Sequence, residues 1–404
     1  MTSAPFDVTV IGAGIVGLAT AHELLQRRPE LRIAIVDKED AIAFHQSGRN
    51  SGVIHAGLYY TPGSLRSRLC REGRELLIRF AEENEIPYRL TGKLVVAVSD
   101  AELPKLHALN ERGTANGLRG LRLVDAVEAR ELEPNVVARQ ALHVPESGII
   151  DYRKVSRALA DRITAAGGSL RLGHAVLGVH ASASGVTLET SGGSVTSRGA
   201  IACSGASSDR IAQLAGVDMR EYRMVPFRGQ YSKLVAGRRD LINGLVYPVP
   251  DPSLPFLGVH FTRRIDDEVL IGPNAVLALA RHRYGRLAFS PRDALATATF
   301  PGFWRLARRY PRYAATEVTR DVIKPLLIRE MQRYVPSIQG SDVEAGPSGT
   351  RAQLLRRDGV LEDDFVVRRS PRMLHVLNAP SPAATASLAI GRLVADEASG
   401  FLDF

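Results

Sequence analysis

The run Phe6-Asp7-Val8-Thr9-Val10-Ile11 leads directly into Gly12-Ala13-Gly14-Ile15-Val16-Gly17, and this junction constrains the fold more than any other feature of the chain. The first run is mostly apolar and β-branched, as a buried parallel strand requires. Residues 18–25 carry helical spacing, and Arg27 and Arg28 stand where cations suit the C-terminal end of a helix dipole. A second apolar run, residues 31–36, ends at Asp37, twenty residues after Gly17. Strand, glycine turn, helix, strand and acid in this order predict a dinucleotide-binding α/β unit. Gly12 permits the tight turn, Gly14 lets backbone approach a pyrophosphate, and Gly17 lets the helix pack closely on the strand. The helix start, at Ile15 and Val16, offers unpaired N–H groups to phosphate. Asp37, followed by Lys38, suits a free ribose hydroxyl, which favours FAD or NAD over a 2′-phosphorylated cofactor.

The chain has 404 residues, of which 45% are hydrophobic and 24% charged, an ordinary globular balance with room for two or three domains. Two cysteines, Cys70 and Cys203, cannot build a disulfide framework, and no metal-ligand spacing occurs, so no metal is expected. No 18-residue apolar stretch is present, so no transmembrane helix is expected. Asp7 interrupts the first apolar run, which argues against a secretory signal and for a cytoplasmic protein. The net charge of +9 admits a nucleic acid, a membrane surface or an acidic substrate as partner.

After Asp37 an NAD dehydrogenase would continue its βα alternation. Here a polar, glycine-rich segment intervenes, with Gln46, Ser47, Gly48, Arg49, Asn50, Ser51 and Gly52, and then a helix from about Ser64. Small and polar residues of this kind suit backbone lying against a flat cofactor. Further on, the pattern predicts a helix over 151–163, a strand over 169–180, a hairpin over 185–197, and a strand-turn-helix through Cys203-Ser204-Gly205-Ala206.

These segments resemble the FAD-dependent oxidases of the D-amino-acid-oxidase type, in which such a turn lies near the flavin phosphates and a strand like Ala175-Val176 meets the adenine. Within that group the chain is similar to the L-2-hydroxyglutarate dehydrogenase/oxidase family. The likeness rests on residues 50–65, Gly92-Lys93-Leu94, Pro226-Phe227-Arg228-Gly229, residues 247–275, Gly349-Thr350-Arg351-Ala352-Gln353 and residues 378–391. Arg49 departs from the family pattern, where histidine is commoner, and adds a charge near the flavin. The resemblance implies a Rossmann-like FAD-binding domain with an interleaved α+β substrate domain on a mostly antiparallel sheet. It also implies FAD as cofactor, oxidation of L-2-hydroxyglutarate to 2-oxoglutarate, and a quinone, an electron carrier or dioxygen as acceptor. An amine or amino-acid oxidase of the same fold and a non-catalytic FAD-binding protein are the competing readings.

Oxidising a 2-hydroxy acid requires a base for the hydroxyl proton, C2 facing the flavin, and anchors for carboxylate. Arginine suits carboxylate because its planar fork binds two oxygens. Arg351, after the turn of residues 346–349, is the expected anchor, with Gly349 and Arg351 also beside the cofactor; Arg228 is the candidate for the distal carboxylate. His55 and His260 are the base candidates, since imidazole titrates near neutrality. Tyr60 and Tyr247 are candidate hydroxyl donors. Near the C-terminus, Pro380, Ser381, Pro382, Ala383, Ala384 and Thr385 are expected to open a helix running to about Asp396, whose N–H groups face the flavin pyrimidine edge.

The flavin-contacting pieces are scattered, so the FAD domain is expected to be discontinuous, at 1–87, 147–221 and 341–404. Residues 88–146 and 222–340 form the substrate domain, with strands near 93–98, 228–234, 256–262 and 268–273. The positive charge is local: residues 277–320 hold nine arginines against Asp293 and Glu317, interleaved with seven aromatic residues. This segment reads as a solvated helical insert or as a peripheral contact with the anionic inner face of the cytoplasmic membrane. No nucleic-acid recognition module is evident.

Overall fold

The computed structural model describes residues 6–251 and 254–402; Pro252 and Ser253, and the outermost ends of the expected FAD domain, lie outside the described residues. The strand Phe6–Ile11 pairs in parallel with Ile33–Val36 on one side and Gly193–Ala202 on the other. Ser169–Arg171 extends this parallel core beyond Ile33–Val36, and Met373–Asn378 extends it beside Gly193–Ala202. The hairpin Val176–Ala181/Val186–Thr190 and the strand Val366–Ser370 complete an eight-stranded sheet. The helices Ile15–Arg27, Leu65–Glu83, Tyr152–Ala165 and Ser387–Ser399 share one apolar core with it, because each carries a buried stripe at helical spacing.

A second sheet of nine strands is mostly antiparallel. Its path runs Val276–Leu277, Tyr222–Leu234, Val269–Gly272, His260–Arg263, Leu245–Pro248, Lys93–Ala97, Gln140–Val144, Arg122–Asp125. One pair, Leu245–Pro248 with Lys93–Ala97, is parallel. A small third sheet joins Val53–Ile54, Gly148–Ile150 and Tyr88–Arg89 between the two units. The expected fold class, a dinucleotide-binding α/β unit with an interleaved, mostly antiparallel one, is what these sheets form.

Several expectations need correction. Val343–Arg356, placed by sequence with the FAD unit, is laddered along Tyr222–Leu234 in the second sheet. The strand expected over 169–180 is two strands, because the chain turns at Gly173, whose φ is +73°. The run around His55 is strand only at Val53–Ile54, and the strand expected over 256–262 begins at His260. The last helix starts at Ser387, after a turn in which the Ala383 N–H is already used by Pro380 O, so Ala383–Thr385 precede the helix. Residues 278–290 are mostly irregular and lead into three helices, Pro291–Ala298, Pro301–Arg309 and Pro311–Val322.

Candidate active site

One cavity of about 1130 Å³ runs from the glycine turn to the face of the second sheet, just above the usual range for small-ligand sites. At one end lies the start of the first helix. Gly14 caps it without a side-chain hydrogen bond, and no acid stands in the first turn, so the positive end of its dipole is open to an anion. A Cβ on Gly17 would lie 2.0 Å from Gly12 O, which explains why glycine is needed for helix and turn to meet. Asp37 accepts from Ala13 N at 2.6 Å and from Glu39 N at 2.9 Å, which fixes its carboxylate at the cavity wall. Ser47 Oγ accepts from Ile15 N at 2.9 Å, and Asn50 closes its own loop through Gln46 O, Ser47 O and Gly52 N.

Of the expected cofactor residues, Gly12, Gly14, Ile15, Val16, Asp37, Lys38, Gln46, Ser47, Arg49, Asn50, Ser51, Val176, Cys203, Ser204, Gly205, Gly349 and Pro380 to Ala384 line this cavity. Ser204 Oγ is buried and lacks a hydrogen-bond partner among the described residues. An orphan hydroxyl beside an open helix start fits a pyrophosphate cradle. Gly17, Gly52 and Thr385 do not line the cavity; they act behind it. Thr385 Oγ1 accepts from His55 N at 3.1 Å and meets Tyr152 Oη at 2.8 Å, so it ties the His55 segment to the C-terminal turn. Arg49 stacks on Tyr284, 4.0 Å from guanidinium to ring centre.

At the other end the cavity is lined by His55, Tyr60, Tyr247, His260 and Arg351. His260 stacks on Tyr247 with ring centres 4.0 Å apart, and its Nδ1 lies 3.0 Å from Gly258 O. Donation from Nδ1 leaves Nε2 as the acceptor. Burial pushes His260 down to about 3, with smaller contributions from Arg351 and Lys93. Burial, then Lys93, His260 and Arg66, hold His55 well below the usual imidazole range. Both histidines are therefore neutral. Burial raises the Tyr60 and Tyr247 phenols, which stay protonated donors.

Arg228 is not in the cavity. It is 5% exposed and bound to Asp321 Oδ2 at 2.6 Å and Gln230 Oε1 at 2.9 Å. The reason is register. Arg351 pairs with Phe227, whereas Arg228 pairs with Thr350, and adjacent positions on a strand face opposite ways. The expected distal-carboxylate role of Arg228 is thereby corrected, since Asp321 already takes its charge.

Sequence reasoning passed over several residues of the site. Tyr59 and Tyr231 line the cavity, and Lys93 lies against the Tyr59 and Tyr247 rings. His45, His282 and Tyr284 cluster at its rim, the His45 ring touching both others. The basic segment is only partly solvated: Arg281 is bound to Asp209, Arg286 to Asp321 and Arg320 to Glu330. The acids lie outside 277–320, so a count within the segment misses them.

The open helix start, the fixed Asp37 carboxylate and the cavity shared with a second sheet define a flavin-binding redox fold, and the chain belongs to the FAD dependent oxidoreductase family, whose model matches residues 7–397. Its cofactor is FAD. Among its relatives, the mitochondrial L-2-hydroxyglutarate dehydrogenase of Nematostella vectensis is 45% identical, over 98% of this chain and 90% of that one. L-2-hydroxyglutarate dehydrogenase of Escherichia coli is 41% identical, over 96% and 91%. Among solved structures, L-alpha-glycerophosphate oxidase from Mycoplasma pneumoniae with FAD bound superposes with a TM-score of 0.78 at 23% identity, covering 100% and 96%. Glycine oxidase from Geobacillus kaustophilus gives 0.74 at 20%, covering 99% and 96%.

Proposed function

We propose that the chain oxidises L-2-hydroxyglutarate to 2-oxoglutarate. The observation that carries this is the near full-length likeness to L-2-hydroxyglutarate dehydrogenases at 40–45% identity. Bound FAD supplies the acceptor for the hydride from C2. The first helix start and Ser204 hold its pyrophosphate, and Asp37 a ribose hydroxyl. Arg351 grips the carboxylate next to C2 with its fork. His55 takes the hydroxyl proton: within the substrate end of the cavity, its segment is the one tied through Thr385 to the turn expected at the flavin. His260, on the second sheet, hydrogen-bonds the substrate through Nε2. Two substrate carboxylates bring negative charge that lifts the depressed histidines toward a useful basicity.

The test is anaerobic mixing with L- and D-2-hydroxyglutarate, followed by the flavin absorbance. The L-enantiomer is expected to bleach it fastest. An amino acid that reduces it faster than any 2-hydroxy acid would replace this reading with an amino-acid oxidase. In the same assay His55→Ala is expected to slow reduction roughly 10²–10⁴-fold with FAD retained. A near-normal rate would move the base to His260.

The electrons pass onward to a quinone or a carrier at an anionic membrane face. What supports this is that exposed apolar side chains, Leu287 at 93%, Leu295 at 64% and Trp304 at 51%, fall in the same arginine-rich segment. Among the described residues no helix is long and apolar enough to cross a membrane. Co-sedimentation with anionic vesicles at low salt is expected, and its absence would remove the membrane contact.

A further inference from the structure

Lys93 opens a fully buried strand of the second sheet and is itself 2% exposed. Its ammonium lies 4.3 Å from the centre of the Tyr247 ring and 5.1 Å from that of Tyr59; both rings line the cavity, and Lys93 stands directly behind them, outside the lining itself. Among the described residues no carboxylate forms an ion pair with it. The acidic group that acts on it is the Cys70 thiol, which burial pushes up to about 12, so that neighbour is neutral. Every comparable cation in this interior is treated differently. Arg281 has Asp209, and Arg228 has Asp321. Isolating an ammonium from water costs several kcal/mol, more than two aromatic faces return. A cation left in that state is missing an anion.

Two further observations say where the anion comes from. Tyr59 belongs to the cavity wall, and its hydroxyl is buried and without a hydrogen-bond partner among the described residues. Arg351 forms no direct ion pair among the described residues either; Glu317 acts on it at longer range, and its guanidinium stands 5.4 Å from the Phe256 ring centre. Lys93 and Arg351 both act on His260. The site therefore holds two cations without a direct ion pair around one imidazole, which matches a ligand with a carboxylate at each end.

We propose that Lys93, acting from directly behind the Tyr59 and Tyr247 rings, supplies the positive charge that selects the distal carboxylate of the substrate, whereas Arg228 is neutralised by Asp321. This rests on the reading that the substrate is a 2-hydroxy dicarboxylate. It makes Lys93 a specificity determinant: the charge pair with the ligand separates a five-carbon diacid from a 2-hydroxy monoacid of similar shape. Lys93 is protonated in the resting enzyme near neutral pH, although burial lowers it to about 8.

The experiment titrates oxidised holoenzyme with 2-oxoglutarate and with 2-oxobutyrate, which lacks the distal carboxylate, and follows the flavin spectrum. Lys93→Met is expected to weaken 2-oxoglutarate roughly 30- to 1,000-fold and 2-oxobutyrate less than about threefold. Lys93→Arg keeps the charge and is expected to recover part of the loss. Retained flavin and an unchanged far-ultraviolet spectrum check that each variant is folded. An equal loss for both ligands, or none for either, overturns the proposal. If the wild-type enzyme binds 2-oxoglutarate but L-2-hydroxyglutarate does not reduce its flavin, the oxidation reading fails while the role of Lys93 is still judged by the two titrations. If the wild type prefers 2-oxobutyrate, that role falls with it.

Discussion

Replacing Arg281 by Met tests how the cofactor-lining turn is locked to the second sheet. Arg281 and Asp209 are each about 1% exposed as side chains, and two N–H groups meet the carboxylate at 2.5 and 2.9 Å. The same guanidinium donates to Ala206 O at 3.0 Å and Met224 O at 2.8 Å. Arg281→Met leaves Asp209 with Met224 N as its hydrogen-bond donor. Breaking one side of a buried pair costs about 3–5 kcal/mol. Urea unfolding at pH 7, followed by flavin fluorescence, is the assay. The expected result is a loss of about 3–5 kcal/mol, with Asp209→Leu added to Arg281→Met restoring most of it. A loss below about 1 kcal/mol, or a double variant no more stable than Arg281→Met, would refute the reasoning.

Gly17→Ala places a methyl group 2.0 Å from Gly12 O, so the helix must move off the strand; protein purified without flavin is expected, read from the absorbance ratio. Arg351→Ala is expected to lower kcat/KM roughly 30- to 1,000-fold in steady-state assays with an artificial electron-acceptor dye, and an unchanged value would take Arg351 out of the site. Burial depresses His260 and His282 to about 3 and His375 to about 4, and His55 well below its usual range. Each folded value lies under the unfolded one, so the unfolded chain binds more protons below about pH 6.5. Stability is then full above that pH and falls as pH drops toward 3–4, by roughly 1–2 kcal/mol per histidine at pH 5. Glu133, raised by burial to about 7, and Glu317, also raised by burial, oppose this. Denaturation midpoints between pH 7.5 and 5 check the sign.

The nucleotide-binding end was legible because its signal is local. Gly12, Gly14, Gly17 and Asp37 lie within 26 residues, and each has one physical job. The substrate end was legible only as residue types. His55, His260 and Arg351 were named on resemblance and chemistry, and they do line one cavity. Arg228 and Arg351 looked alike in sequence, because the register that turns them to opposite faces is set by strands more than a hundred residues apart. Lys93 was visible within a quoted motif, yet being unpaired is a property of the tertiary surroundings. The single turn at Gly173 split a run that hydropathy alone reads as one strand.

The order in which the first sheet is completed has a cost during synthesis. Gly193–Ala202 pairs with Phe6–Ile11, but its other neighbour, Met373–Asn378, is made about 360 residues after Ile11. The helix Ser387–Ser399 follows later still, and Gly391 packs so tightly on the first helix that a Cβ there would lie 2.7 Å from Ala19 O. That edge of Gly193–Ala202 waits about 170 residues for its partner, so at roughly 5–20 residues per second the nascent chain carries it unpaired for about 9–34 s. Such an edge invites pairing with other chains. Substitutions near residues 373–399 should therefore register first in the yield of soluble protein and its demand for chaperones, before they register in turnover.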